Sequence, residues 1–142
     1  MKTKPGVTML VSSLCALTLG GCATVPEQKT WLAGTKWAIE DVNGTSTAGR
    51  TDFTVSFTNT RFEARLGCRR ASGNYTIRYL EGDPQPIYQG SDATVTGTPC
   101  TGLTAEEIGP ELLGSATFSL TRRADGYLIM LQPPTGMALR PL

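Results

Sequence analysis

The fold of this chain is decided by the stretch Phe53-Thr-Val-Ser-Phe-Thr-Asn-Thr-Arg-Phe-Glu-Ala-Arg-Leu66. Apolar and polar residues alternate on both sides of a short polar link at Asn59-Thr60. Because successive side chains of a strand point to opposite faces, each half has one apolar and one polar face. The stretch therefore predicts two adjacent antiparallel strands joined by a tight turn.

The same period of two recurs on either side of this hairpin. Further alternating segments cover residues 75–79, 93–96 and 116–121. Trp37 with Ile39 indicates a first strand, and Met137 with Leu139 indicates a last one. Residues 127–131 are apolar throughout, as expected for a strand covered on both faces. The chain is therefore predicted to contain about seven or eight short strands.

Turns and one helix separate these strands. Asp125-Gly126 is a strong hairpin dipeptide, whereas residues 81–89, with two prolines, predict a longer loop. Thr104 with Glu107 fits a capping box at a helix start. Pro110 opposes a continuous helix because it lacks an N–H. We expect one short helix, or two single turns, between residues 104 and 113.

The combined pattern predicts a mainly β fold, a small antiparallel barrel-like sheet with one short helix. A sheet that closes on itself hides the apolar faces and leaves few open edges. A two-sheet sandwich would hide them as well, and the alternation does not separate the two arrangements.

The N-terminus carries the pattern of an exported protein. Lys2 and Lys4 precede an apolar run that is too short to cross a membrane comfortably, and the run ends at Leu19-Gly-Gly-Cys22. This ending resembles a bacterial lipobox, which implies acylation of Cys22. We therefore expect a signal peptide at residues 1–21, a flexible tether at 22–30 and one folded domain at 31–142. The residue after the proposed lipid site is Ala23, and this resembles the sorting signal of outer-membrane lipoproteins that face the periplasm.

Two cysteines remain once Cys15 is removed with the signal and Cys22 is acylated. Cys68 and Cys100 are an even pair in an exported chain, where thiols are oxidised. This favours a disulfide over two buried free cysteines. A zinc site is disfavoured because two cysteines without histidine do not supply the usual four ligands.

Composition argues against several classes of function. Without Lys2 and Lys4 the chain has 11 basic and 12 acidic side chains, so it lacks the charge expected for nucleic-acid binding. It contains no histidine, the commonest general base near neutral pH. We therefore expect no enzymatic activity, no catalytic residues, no metal ligands and no cofactor.

The remaining polar and aromatic clusters have simple structural interpretations. The carboxylate pairs Glu40-Asp41 and Glu106-Glu107 are expected to be solvated, since neighbouring side chains diverge on a strand or a helix. Two arginine clusters could bind an anion or a partner, but a charged outer face is favoured. These clusters are Arg65 with Arg69 and Arg70, and Arg122 with Arg123. The aromatic residues expected in the core are Trp31, Trp37, Tyr75 and Tyr79.

The order of several short motifs resembles the META domain, the HslJ-like family of small envelope proteins. These motifs are Leu32-Ala-Gly-Thr-Lys-Trp37, Val42-Asn-Gly44, Gly67-Cys68, Gly73-Asn-Tyr75, Thr96-Gly-Thr-Pro-Cys100, Phe118 and Ile129-Met-Leu131. The resemblance implies a barrel-like β domain with one helix and a disulfide. It also implies links to envelope stress, antibiotic tolerance, motility or secretion, and no catalytic mechanism.

The sequence thus favours a lipid-anchored envelope protein that binds another envelope protein or a stress-related ligand. One alternative is a lipocalin-like carrier with an apolar ligand inside the barrel. Another is an inhibitor of an attacking enzyme such as lysozyme, for which residues 81–90 are the candidate loop.

Replacing the proposed lipid attachment site tests the export signal. Cys22→Ala should abolish incorporation of radiolabelled palmitate and leave the chain unprocessed or unanchored, because the acylated thiol is lost. Cys15→Ala is the matched control and should be labelled normally. Normal acylation of the Cys22→Ala protein would contradict the lipobox.

Overall fold

The computed structural model describes residues 30–142, which contain nine strands and one helix. The strands are β1 (Thr35–Val42), β2 (Thr45–Ser46), β3 (Phe53–Phe57), β4 (Arg61–Leu66), β5 (Arg69–Tyr79), β6 (Pro86–Thr96), β7 (Thr117–Arg122), β8 (Leu128–Gln132) and β9 (Thr135–Pro141). The helix α1 spans Thr104–Ser115. The predicted signal peptide, Cys22 and all but the last residue of the tether lie outside the described residues.

Eight antiparallel strands form a closed barrel. Each strand from β3 to β8 pairs with the next one along the chain, β3 also pairs with β1, and β9 pairs with β1 to close the circuit. The short strand β2 adds to β1 outside this circuit. The predicted mainly β, barrel-like fold with one helix is confirmed, and closure between β1 and β9 excludes the sandwich arrangement.

The hairpin at 53–66 sets the alternation of the barrel. Its register places Phe57 opposite Phe62 and Phe53 opposite Leu66, and all four side chains are buried. The N–H of Thr58 donates to the carbonyl oxygen of Arg61 at 2.8 Å and closes the turn. The polar residues between these positions point outwards, as the sequence predicts.

The stretch predicted as a loop at 81–89 is shorter than expected, because β6 already begins at Pro86. Proline is tolerated as the first residue of a strand, where its missing N–H leaves no gap in the ladder.

Tyr79, at the end of β5, is 60% exposed, so its expected place in the core is wrong. Leu131 is also exposed, so the strand at 128–132 is covered on one face only.

The helix is continuous through Pro110 and two residues longer than expected. Leu103 occupies its N-cap position without a side-chain cap, so the predicted capping box of Thr104 and Glu107 is wrong. Pro110 is buried, and packing of this face of the helix against the barrel offsets the backbone bond that proline cannot donate.

Glycines let the helix approach β6 closely. A Cβ at Gly90 would lie against the carbonyl oxygen of Leu113, and one at Gly114 would lie against Ala93. The hydroxyl of Tyr88 donates to the carbonyl oxygen of Leu113 at 2.7 Å. The end of the helix is therefore held against β6 by direct backbone contact.

Adding one methyl group at this contact should destabilise the domain. Gly90→Ala is expected to lower the free energy of unfolding by about 1–3 kcal/mol, since the helix must move to admit the Cβ. Ser91→Ala, at the neighbouring exposed position, should change it by less than about 0.5 kcal/mol. Urea unfolding followed by circular dichroism measures both, and equal stability of the two variants would contradict this contact.

Candidate functional site

Aromatic side chains fill the barrel interior. The rings of Tyr75 and Tyr88 stack with centroids 5.7 Å apart, and Phe57 meets Tyr75 edge-on at 5.1 Å. Phe118 lies against Tyr88 at 6.3 Å. Burial raises the pKa of both tyrosines, and each hydroxyl contacts a backbone carbonyl oxygen, that of Thr58 for Tyr75 and that of Leu113 for Tyr88. The inward-facing residues thus form a packed core.

The two tryptophans differ in burial. Trp37 is buried in the core, and its indole N–H donates to the hydroxyl of Thr35 at 2.8 Å. Trp31 is half-buried and packs against the edge of the core.

A disulfide and a buried carboxylate join the helix to the barrel. Cys68 and Cys100 are bonded, with Cα atoms 5.8 Å apart, consistent with the predicted pairing. The carboxylate of Glu106 accepts the backbone N–H of Cys68 at 2.7 Å and that of Cys100 at 3.0 Å. It also accepts the N–H of Thr101 at 2.7 Å and its hydroxyl at 2.5 Å. Glu106 is fully buried, so its expected place on the surface is wrong.

Hydrogen bonds keep this carboxylate ionised. Burial by itself raises the pKa of Glu106, but the bonds from Thr101, Cys68 and Cys100 outweigh it and lower the pKa to about 2. Sequence reasoning missed this role because the two carboxylates of Glu106-Glu107 are equivalent in the sequence. The helix turns Glu106 inwards and leaves Glu107 exposed.

The group of Cys68, Cys100 and Glu106 is close enough for a metal, with possible ligand atoms within 4.8 Å of one another. Both sulfur atoms are already bonded to each other, so neither is a thiolate that could bind a metal. The carboxylate is occupied by four donors. The chemistry of this group is therefore structural.

An open groove of about 570 Å³ runs between the helix and β6. The helix contributes residues spaced by three and four positions, which lie on one face: Glu107, Pro110, Glu111 and Gly114. The strand contributes Asp92, Ala93 and Val95. The recess therefore has apolar walls and an acidic rim.

The predicted arginine cluster around Cys68 is divided between two surfaces. Arg69 lines the groove, and its guanidinium donates to the carbonyl oxygen of Glu107 at 3.3 Å. Arg65 and Arg70 lie opposite each other in the register of β4 and β5, on the outside of the barrel. The three arginines do not form a single patch.

Other predicted surface charges form local pairs. Arg123 contacts the carboxylate of Asp125 at 2.9 Å. The side chain of Glu40 is only 15% exposed and its carboxylate contacts Arg140 at 2.8 Å, so its expected solvated position is wrong. Arg122 is the last residue of β7, and Asp41 is the last residue but one of β1. These positions converge on no common cleft with the groove residues.

Within residues 30–142, no helix has the length and apolarity required to cross a membrane. No family model and no curated protein matches the sequence. The fold is similar to that of a solved structure, an NMR structure of a protein from Burkholderia xenovorans. It has a TM-score of 0.55 and 14% sequence identity, and the match covers 100% of this chain and 99% of that chain. At this identity the similarity supports the fold alone.

The low pKa of Glu106 predicts how acid destabilises the domain. The pKa of Glu106 is about 2 in the folded state and 4.5 in the unfolded state. The stabilisation of the folded state by the ionised Glu106 carboxylate is therefore complete above pH 4.5 and is lost as the pH falls to 2. Glu106→Gln should lower stability at neutral pH and flatten the acid dependence in this window. Urea midpoints from pH 2 to pH 7 measure both effects.

The exposed neighbour provides the control. Glu107→Gln should keep the wild-type acid dependence, because this carboxylate is in contact with solvent. An unchanged slope in the Glu106→Gln protein would show that the buried carboxylate is not the titrating group.

Proposed function

We propose that this chain is a non-catalytic, lipid-anchored protein of the bacterial envelope that binds a partner on the outside of its barrel. The lipobox-like Leu19–Cys22 motif and the Cys68–Cys100 disulfide support the export part of the proposal. The resemblance to the META domain supports a role in envelope stress tolerance, and Ala23, next to the proposed lipid site, supports a location in the outer membrane that faces the periplasm.

Binding on the outside of the barrel is supported by the difference between the packed interior and the open groove on the surface. Tyr75, Tyr88, Phe57 and Phe118 occupy the barrel centre in mutual ring contact. The groove beside the helix is open to solvent and combines apolar walls with an acidic rim. Binding sites usually combine apolar surface with a few placed polar groups, so the groove is the better candidate.

This contrast disfavours the lipocalin-like carrier, because an interior ligand would have to displace stacked aromatic rings from a close-packed core. The strand boundaries bear on the second alternative, the enzyme inhibitor. Half of the candidate loop at 81–90 belongs to β6, which leaves only residues 80–85 between the two strands. A loop of this length offers little reach into an enzyme cleft.

Uptake of an apolar probe separates binding outside from binding inside. The full exported chain in detergent should give no saturable fluorescence with N-phenyl-1-naphthylamine and no rise in Tm. A carrier saturated at about a hundred times Kd would gain about 2.7 kcal/mol of stability. Saturable uptake by the unaltered chain, with a rise in Tm, would overturn the proposal.

A further inference from the structure

Strand β6 continues beyond the strand that covers its outer edge. It has eleven residues, but only Ile87–Gln89 pair with β7. The last backbone bond on this side joins the N–H of Gly90 to the carbonyl oxygen of Ala116 at 3.3 Å. From Ser91 to Thr96, β5 is the one strand partner of β6 among residues 30–142, and all six residues are exposed.

Along this unpaired edge of β6, the neighbouring element is α1 and not β7. Because α1 ends at Ser115, immediately before β7, it runs beside the part of β6 that β7 leaves uncovered. The groove lies between the two elements. A free strand edge beside a helix is the arrangement in which an extended peptide can add to a sheet, with main-chain hydrogen bonds to the strand and side chains against the helix.

The charges around this groove select the occupant. Asp92, Glu107 and Glu111 face it, against the single cation Arg69. Arg69 already donates to the carbonyl oxygen of Glu107, and its Nε–H, buried without an acceptor among the described residues, is a donor that a main-chain carbonyl oxygen of an extended peptide can satisfy. The groove therefore favours basic side chains on an extended peptide and offers little to an acidic one.

We infer that the groove between Ser91–Thr96 and α1 binds an extended, basic segment of a partner protein by strand addition. Alternating side chains of the segment face the apolar walls at Ala93, Val95 and Pro110, and basic side chains meet the acidic rim. This inference rests on the proposed function, because it names the partner chemistry of the outer surface described above.

A fluorescent eight-residue peptide of alternating lysine and valine is a suitable probe, since its lysines and valines occupy opposite faces of a strand. With the full exported chain in detergent, fluorescence anisotropy should show saturable binding. Amide NMR signals of residues 91–96 should shift on addition. The glutamate–valine peptide should bind at least about tenfold more weakly, because the rim repels it.

Two variants of equal charge change test the location. Glu107→Lys with Glu111→Lys should weaken binding at least about tenfold, since both residues are exposed on the groove. Glu81→Lys with Asp83→Lys, in the β5–β6 connection, should change binding less than about twofold. Circular dichroism melts confirm that both proteins are folded.

The backbone requirement separates strand addition from simple charge attraction. A lysine–valine peptide that is N-methylated at every backbone amide keeps its charges but has no backbone N–H donors, so its binding should fall at least about tenfold. Equal binding of the methylated peptide, equal effects of the two variant pairs, absence of binding, or a chain that dimerises through residues 91–96 would overturn the inference. None of these results reproduces probe uptake by the barrel, so failure here is distinct from failure of the proposed function.

Discussion

The carboxylate of Glu106 is the interaction on which the rest of the candidate site depends. It lies in the first turn of α1 and holds the backbone of both disulfide-bonded cysteines and of Thr101. It therefore connects the helix to the β4–β5 turn and to the segment that follows β6. Without this connection the first turn of α1 would be positioned only by the disulfide and by core packing, although the end of the helix would still be held against β6 at Gly90 and Leu113.

A buried charge is stabilising here because its solvation is replaced almost completely. Ionised carboxylates are costly to bury unless several donors take the place of water. Three backbone N–H groups and one hydroxyl do so. Gly67 makes room for this arrangement, since its φ of +63° suits glycine and a Cβ would come within 2.6 Å of Oε1 of Glu106. The glycine before Cys68 is therefore required by the carboxylate as well as by the turn.

The sequence predicts those parts of the structure that depend on local pattern. The alternation at 53–66 defines a hairpin because each residue's face follows from its neighbours. Glu106 is different, because Cys68, its partner on β4–β5, is 38 residues away. Its role follows from the orientation of the helix, which a single capping motif does not reveal. Tyr79 fits the alternation and is still exposed, because β5 extends beyond the strands that would cover it.

The groove has the same origin as the exposed end of β5, namely unequal strand lengths. The pair β5 and β6 has eleven residues in each strand, whereas β7 has six. A barrel of equal strands would have no free edge, so this mismatch creates one on β6.

Free edges risk pairing with other copies of the chain, and two features limit this one. Asp92 has a φ of +52° at a register irregularity between β5 and β6, and such bulges bend and twist an edge. The helix stands beside the same edge, and the groove between the two elements has a volume of about 570 Å³. An edge that is open to a single strand and guarded by acidic side chains is protected against self-association, and the same features make it selective for a basic peptide.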